Sequence, residues 1–220
     1  VPRYGDNSDI RWFEATPCYI LHISNSYEIG DEVIMDGCIS TQPAGPDVGK
    51  QGGDLYNKIR AHLDKHQTQT HMYRWRFNLK TGETIEECID DEVTEFPVVS
   101  NDYMGYEYRY SYNTLFKKGD WLFAGLKKYD LLTGKMTRYE YGDGRYGSEP
   151  QIARRIGAVE EDDGYLINII TDMNENRSEC VIFNAKEIEA GPIATIILPE
   201  RVNNGTHGTW IEGDRIHGER

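Results

Sequence analysis

The sequence of 220 residues is long enough to bury a sizeable core in one ordinary domain. Its formal charge of −13 at pH 7 repels phosphate backbones and anionic lipid surfaces, which excludes nucleic acid as an expected partner. The longest apolar runs are too short for a transmembrane segment. The four cysteines show no CxxC spacing, which predicts reduced core residues rather than a structural zinc site.

From the N-terminus onward, short runs rich in Val, Ile and aromatic residues alternate with Gly, Asp and Asn, as expected of strands and hairpins. The strands are predicted at 18–24, 31–38, 72–79, 106–112, 120–126, 165–171, 179–185 and 193–199. One stretch favours a helix, because Leu55, Ile59 and Leu63 form an apolar stripe of about three turns. We therefore predict an all-β fold with a helical insertion near 43–71.

Three hairpins share an aromatic residue followed by Asn or Asp before the turn, at 77–78, 129–130 and 183–184. The spacing of roughly 50 residues is that of a propeller blade with about four strands. An irregular β-sandwich is the alternative, but it needs no fixed period. The repeat therefore favours a β-propeller.

Each repeat should begin with an innermost strand that lines the propeller axis. The polar residues predicted on these strands are His22, Glu95, Glu149 and His207. A carboxylate behind a metal-bound histidine fixes the tautomer of the ring, so the two histidines and two glutamates predict a metal site. Gly205 and Gly208 would let the backbone around His207 approach the axis closely. For either histidine alone, a simple hydrogen bond to a neighbour is the competing interpretation.

The sequence resembles the carotenoid cleavage dioxygenases, a family that includes apocarotenoid cleavers, lignostilbene dioxygenases and the retinoid isomerohydrolase. The resemblance extends nearly from end to end. The segments that carry it are PRYGDNSDIRWFEATPCYILHISNSYE, RWRFNLKTGE, TEFPVVSND, YRYSYN, DGRYGSEP, EEDDGYL, IATIILPERV and NGTHGTW. It implies a seven-bladed β-propeller with Fe(II) on its axis, held by four histidines, three of which are backed by glutamates.

By this resemblance, His22 is similar to the third iron ligand and His207 to the fourth. Glu95 looks like the carboxylate that orients His22, and Glu149 like the one that orients His207. The other two ligands and the third glutamate are expected upstream, so residues 1–220 should be one partial propeller domain, about the C-terminal half of the enzyme, and inactive alone. The three histidines of the insertion, His62, His66 and His71, are not expected to replace the missing ligands.

Some positions depart from the family pattern. Asn203 and Thr206 replace a Pro and an aromatic residue before the last histidine, and Ser26 stands where Ala is common. After Glu149-Pro150, the residues Gln151-Ile152-Ala153-Arg154 replace a more apolar run. These changes leave the four metal-site residues intact, and they affect the wall of the site and its local packing.

The chemistry implied by the resemblance is cleavage of a conjugated C=C bond of a carotenoid or apocarotenoid by O2, giving two carbonyl products. An apolar substrate tunnel is expected, with candidate lining residues Phe96, Tyr103, Tyr106, Thr206 and Trp210. Fe(II) is the expected cofactor and the cytoplasm the expected compartment, with any peripheral membrane contact expected through the upstream half. The alternatives are a lignostilbene-type dioxygenase that cleaves phenolic stilbenes and a non-catalytic propeller that binds an apolar ligand or a partner.

Overall fold

The computed structural model describes residues 1–40, 69–117, 122–203, 205–213 and 216. These residues form antiparallel β-sheets and three one-turn 3-10 helices, at Asn7–Asp9, Asn101–Tyr103 and Ile188–Ala190, so the all-β prediction is confirmed. Nearly all of the predicted helical insertion, including His62 and His66, lies outside the described residues. In the described part of the chain, no helix is long and apolar enough to span a bilayer.

The strands are arranged in three sheets. The first contains β1 (Tyr19–Ile29), β2 (Glu32–Ser40), β3 (His71–Asn78) and β4 (Thr84–Cys88). The second contains β5 (Thr94–Val98), β6 (Tyr110–Phe116), β7 (Phe123–Asp130) and β8 (Lys135–Glu140). The third contains β9 (Arg145–Tyr146), β10 (Gln151–Arg154), β11 (Gly164–Asp172), β12 (Arg177–Asn184) and β13 (Pro192–Ile197). Apart from the short β9, which pairs with β11, consecutive strands are neighbours, as in the four-stranded meander of a propeller blade.

The predicted repeat corresponds to the end of the third strand of each meander. Asn78, Asp130 and Asn184 are the last residues of β3, β7 and β12. In each case the side-chain Oδ1 accepts a hydrogen bond from the backbone N–H two residues later, at 2.9, 3.2 and 3.1 Å. The short side chains of Asn and Asp mimic a backbone turn in this way, which explains why they recur where the chain reverses.

The sheets pack against one another in chain order. Cys38 and Met72 of the first sheet form a buried cluster with Tyr129 of the second. Tyr112 and Leu126 of the second sheet pack against the third in a larger cluster that includes Leu166, Val181 and Phe183. The second sheet is thus covered on both faces, and the first strands β1 and β5 contact each other.

Two sequence predictions differ from the structure in their details. The predicted strand at 106–112 begins only at Tyr110, because the backbone N–H groups of Arg109 and Tyr110 donate to the carboxylate of Glu161 instead of a strand. No strand forms at His207, since the described residues provide no neighbouring strand with which this segment could pair.

The cysteines are free thiols, as expected, but not all of them belong to the core. Cys38 is buried between the first and second sheets, whereas Cys18 and Cys88 are exposed. Cys18 precedes β1, and Cys88 ends β4, the last strand in the order of its sheet. The prediction of four core cysteines is therefore wrong for these two residues.

Candidate metal centre

His22 lies on an irregular part of β1. The pairing of β1 with β2 shifts register on both sides of this residue, between Ile20 and His22 and between Ile23 and Asn25. Such bulges change the direction in which a strand presents its side chains. Gly37 on β2 permits the close approach of the two strands, because a Cβ atom there would lie 2.9 Å from the carbonyl oxygen of His22.

The imidazole of His22 is held by the carboxylate of Glu95, on the first strand of the next sheet. Nδ1 of His22 lies 2.6 Å from Oε2 of Glu95, which is completely buried. The hydrogen bond from Nδ1 of His22 to Glu95 raises the pKa of His22, and burial raises the pKa of Glu95. Because Nδ1 is occupied by the carboxylate, Nε2 is the ring nitrogen that can bind a metal.

Phe96 links the two sides of the site. Its backbone has φ +50°, a conformation that is strained for a bulky residue, and its N–H donates to Oε2 of Glu95 at 2.5 Å. The aromatic ring lies 4.6 Å from the ring of His22 and 5.5 Å from that of His207, measured between centroids. Glu95 therefore holds both the His22 ring and the backbone that places Phe96 beside the two histidines.

The second histidine–carboxylate pair is more open than the first. Nδ1 of His207 lies 3.4 Å from Oε2 of Glu149, and the His207 side chain is 64% exposed while that of Glu149 is 13% exposed. The same carboxylate oxygen accepts from the backbone N–H of Gly208 at 3.0 Å and from Nε2 of Gln151 at 3.4 Å. Gly208 lies against Gln151, because a Cβ atom at position 208 would be 3.4 Å from the Gln151 side chain.

The position of Glu149 is fixed by a buried asparagine of the third sheet. Asn168 accepts from the backbone N–H of Ser148 at 3.0 Å and donates to its carbonyl oxygen at 2.7 Å. Gly147 allows this contact, because a Cβ there would lie 2.6 Å from Oδ1 of Asn168. The segment before Glu149 is thus tied to β11 although it is not itself a strand.

The two pairs come together from distant parts of the sequence. The ring centroids of His22 and His207 are 5.2 Å apart, with their planes at 75°. Two imidazoles that bind one metal through nitrogen at about 2.1 Å have centroids roughly 5 Å apart, so this separation suits a shared ion. Among the described residues, no group of three or more His, Cys, Asp or Glu side chains is placed to hold a metal. The described part of the chain could thus contribute two ligands.

Of the five predicted tunnel residues, Phe96 alone has ring contacts with both histidines among the described residues. Tyr103 packs against a buried cluster formed by Tyr27, Ile34, Val99 and Tyr108. Tyr106 is 69% exposed, and Thr206 and Trp210 lie exposed on the segment around His207. The role of all five in binding substrate stays a prediction.

Several residues of the site were not predicted from the sequence. Phe123 is buried, and its ring lies 4.9 Å from that of Phe96. Asn25 braces the loop before β6: its Nδ2 donates to the carbonyl oxygens of Tyr103 and Tyr106, and its Oδ1 accepts from Gly105. Asn25 follows His22 by three positions, but only the fold reveals its distant partners. His71, the remaining histidine of the predicted insertion, pairs with Ile39 at the start of β3.

The chain is similar to known proteins over nearly its whole length. The family described as retinal pigment epithelial membrane protein matches residues 1–212. A carotenoid 9,10(9',10')-cleavage dioxygenase of Crocus sativus is 33% identical over 98% of the chain. A carotenoid cleavage oxygenase of Mycobacterium tuberculosis is 32% identical over 96%. An isoeugenol monooxygenase of Pseudomonas putida is 27% identical over 96%.

The fold also resembles solved structures. A crystal structure of cobalt-substituted apocarotenoid oxygenase of Synechocystis superposes on 96% of the chain with a TM-score of 0.84 and 27% sequence identity. The chain spans 43% of that protein and 41% of the two carotenoid-cleaving relatives. The chain belongs to the retinal pigment epithelial membrane protein family, which includes the carotenoid cleavage oxygenases.

Proposed function

We propose that the complete protein containing this chain is a non-haem Fe(II) dioxygenase that cleaves a conjugated C=C bond of a carotenoid or apocarotenoid into two carbonyl products. The observation that carries the proposal is the pair of imidazole rings 5.2 Å apart, each with Nδ1 turned toward a glutamate. Membership of the family and relatives with carotenoid-cleaving names support it. The whole fold is proposed to be a seven-bladed propeller, to which this chain contributes about the C-terminal half.

The buried charge at the site supports a resident metal. Glu95 is completely buried, and its Oε1 has no hydrogen-bond partner within the described ranges. A buried carboxylate that lacks a compensating positive charge is costly, and a cation bound through His22 would supply that charge. The name of the cobalt-substituted relative is consistent with a metal in that protein. Neutral imidazoles backed by carboxylates suit Fe(II).

The chain's own residues hold and shape the site. His22 and His207 would be the two iron ligands from this half, and Glu95 and Glu149 would fix their tautomers so that both Nε2 atoms face the ion. Bound iron would supply the redox chemistry that brings O2 to the substrate double bond. Phe96 and Phe123 form an apolar wall next to the rings, which excludes water and favours a polyene. Tyr103, Tyr106, Thr206 and Trp210 stay candidates for the more distant lining.

The decisive experiment measures iron content and turnover in the complete protein. After anaerobic loading with Fe(II), we expect about one bound iron per chain and loss of carotenoid absorbance that depends on O2. His207→Ala should abolish turnover and weaken iron binding, whereas His71→Gln, at a described histidine on β3, should retain both. A protein that binds no iron after loading, or His207→Ala with full activity, would contradict the proposal. The first result would leave a propeller that only binds an apolar ligand or a partner.

A second candidate function differs in substrate. The isoeugenol monooxygenase among the relatives is named after a phenolic substrate. A phenolic alkene or stilbene is therefore the alternative substrate class. The carotenoid-cleaving relatives are more similar, at 33% and 32% identity against 27%. Parallel assays with an apocarotenoid and a hydroxystilbene distinguish the two, since each enzyme class should act on its own substrate. The predicted cytoplasmic localisation is part of this proposal.

A further inference from the structure

We propose that Gln151 is a positioning residue, which fixes the carboxylate of Glu149 so that this carboxylate can orient His207. The inference rests on the proposed function, because it assigns His207 as a metal ligand. Oε2 of Glu149 accepts from Nε2 of Gln151 at 3.4 Å and from the backbone N–H of Gly208 at 3.0 Å, and it faces Nδ1 of His207 at 3.4 Å. A single oxygen thus joins the glutamine, the backbone beside the ligand and the ligand itself.

The fold places Gln151 where it can contact both partners. Gln151 is the first residue of β10 and Glu149 lies two positions before it, and the hydrogen bond between their side chains shows that the two groups meet. From the other side, Gly208 packs against the Gln151 side chain, where a Cβ would lie 3.4 Å from Cδ and Nε2. Gln151 therefore touches the residue after His207 and also donates to the carboxylate behind it.

The side chain at position 151 is an amide, which can donate a hydrogen bond. An apolar side chain could still pack under Gly208, but it could not donate a hydrogen bond to Glu149. The need for a donor is specific to this pair. Glu95 is completely buried and lies 2.6 Å from His22, whereas Glu149 is 13% exposed and its contact with His207 is 3.4 Å. Neutral amide donors can hold the looser carboxylate in place without neutralising its charge.

The test uses Co2+ as a spectroscopic probe in the complete protein. The variant Gln151→Met keeps the shape of the side chain but removes the donor, and Gln151→Glu replaces the donor by a like charge next to Glu149. Gln69→Met, at an exposed glutamine, is the matched control. Co2+ affinity and the visible absorption bands of the bound ion are measured for each protein, and circular dichroism checks that each variant is folded.

We expect Gln151→Met to weaken Co2+ binding about threefold to tenfold and to shift the absorption bands, since one hydrogen bond is lost. Gln151→Glu should have a larger effect, and Gln69→Met none. If both Gln151 variants match the unmutated protein while His207→Ala loses Co2+, the inference is wrong and the proposed function stands. If the unmutated protein binds no Co2+, the proposed function fails and the inference with it. Should Gln151→Met not fold, Gln151→Glu decides by the same criteria.

Discussion

Nδ1 of His22 and Oε2 of Glu95 lie 2.6 Å apart, although the two residues are 73 positions apart in the sequence and belong to different sheets. The contact joins β1 to β5, the first strands of two neighbouring meanders. The same oxygen accepts from the backbone N–H of Phe96 at 2.5 Å. One buried carboxylate therefore fixes a histidine ring, a strained backbone and the junction of two sheets.

The first prediction compares the two carboxylates. In the complete protein, Glu95→Gln should weaken metal binding about 10-fold to 100-fold, because His22 loses the charge that orients it. Glu149→Gln should have a smaller effect, since its contact with His207 is 3.4 Å and the pair is partly exposed. Metal titration of both variants measures the difference. Equal effects, or a larger effect at Glu149, would show that burial and distance do not determine how much each histidine–glutamate pair contributes to metal binding.

The second prediction concerns the backbone strain at Phe96. Replacement by Ala should lower the free energy of unfolding by about 3 kcal/mol, because a buried ring is lost. Replacement by Gly should be less destabilising than Ala by about 1 kcal/mol, since glycine adopts φ +50° without strain. This order reverses the usual ranking of Ala over Gly in a strand. Chemical denaturation of both variants measures it, and an Ala variant more stable than the Gly variant would argue against strain.

The sequence predicted the repeat and the residues at the start of each meander, because these depend on strand-like composition and on turns that recur at a regular spacing. His22, Glu95 and Glu149 were predicted on first strands. The structure has His22 on β1 and Glu95 on β5, whereas the prediction is wrong for Glu149, which lies just before β10. The family resemblance independently indicated the same residues. A periodic pattern is visible in a sequence because each turn depends on its own few residues.

Other parts of the site depend on contacts that no local pattern records. The register shifts beside His22 arise from pairing with β2, and the positive φ of Phe96 is held by the side chain of the preceding residue. Asn168 holds the backbone of Ser148, next to Glu149, from a strand 20 positions away. The prediction of a strand at His207 was wrong for a related reason. A strand requires a neighbouring strand to pair with, and the described residues provide none. Sequence periodicity thus indicated the candidate metal ligands and their glutamates, but not the residues that support them.

The third prediction concerns Asn25, whose side chain makes hydrogen bonds to the loop between β5 and β6. Its Nδ2 donates to the carbonyl oxygens of Tyr103 and Tyr106, and its Oδ1 accepts from the N–H of Gly105 at 2.9 Å. Asn25→Ala should lower the free energy of unfolding by about 2 kcal/mol, because three backbone groups of the loop lose their hydrogen-bond partner. Hydrogen exchange at the Gly105 amide should become faster.

Asn25→Asp provides a sharper version of this test. Aspartate retains the acceptor for Gly105 but turns an oxygen toward two carbonyl oxygens, so it should not restore stability. Asn101→Ala, at an exposed asparagine in the same loop, serves as the control and should have little effect. Unchanged exchange at Gly105 in Asn25→Ala would mean that the loop is held by its other contacts.

The last prediction is a pH dependence of stability that arises from the ion pair between Arg109 and Asp130. The bidentate contact with Arg109, through Nε at 2.8 Å and a terminal nitrogen at 2.7 Å, holds the pKa of Asp130 well below its usual range. A carboxylate with a lowered pKa in the folded state stabilises the protein above its unfolded pKa of about 4, and this contribution is lost as the pH falls toward the folded pKa. Asp130→Asn should therefore unfold at lower denaturant concentration near neutral pH, and the difference from the unmutated protein should shrink as the pH decreases below about 4.

Because Arg109 is 41% exposed, added salt should also reduce the difference in stability between Asp130→Asn and the unmutated protein. Asp91→Asn, at an exposed aspartate, is the control. A difference between Asp130→Asn and the unmutated protein that stays constant from neutral to acidic pH would mean that the turn geometry, and not the ion pair, accounts for the stabilisation.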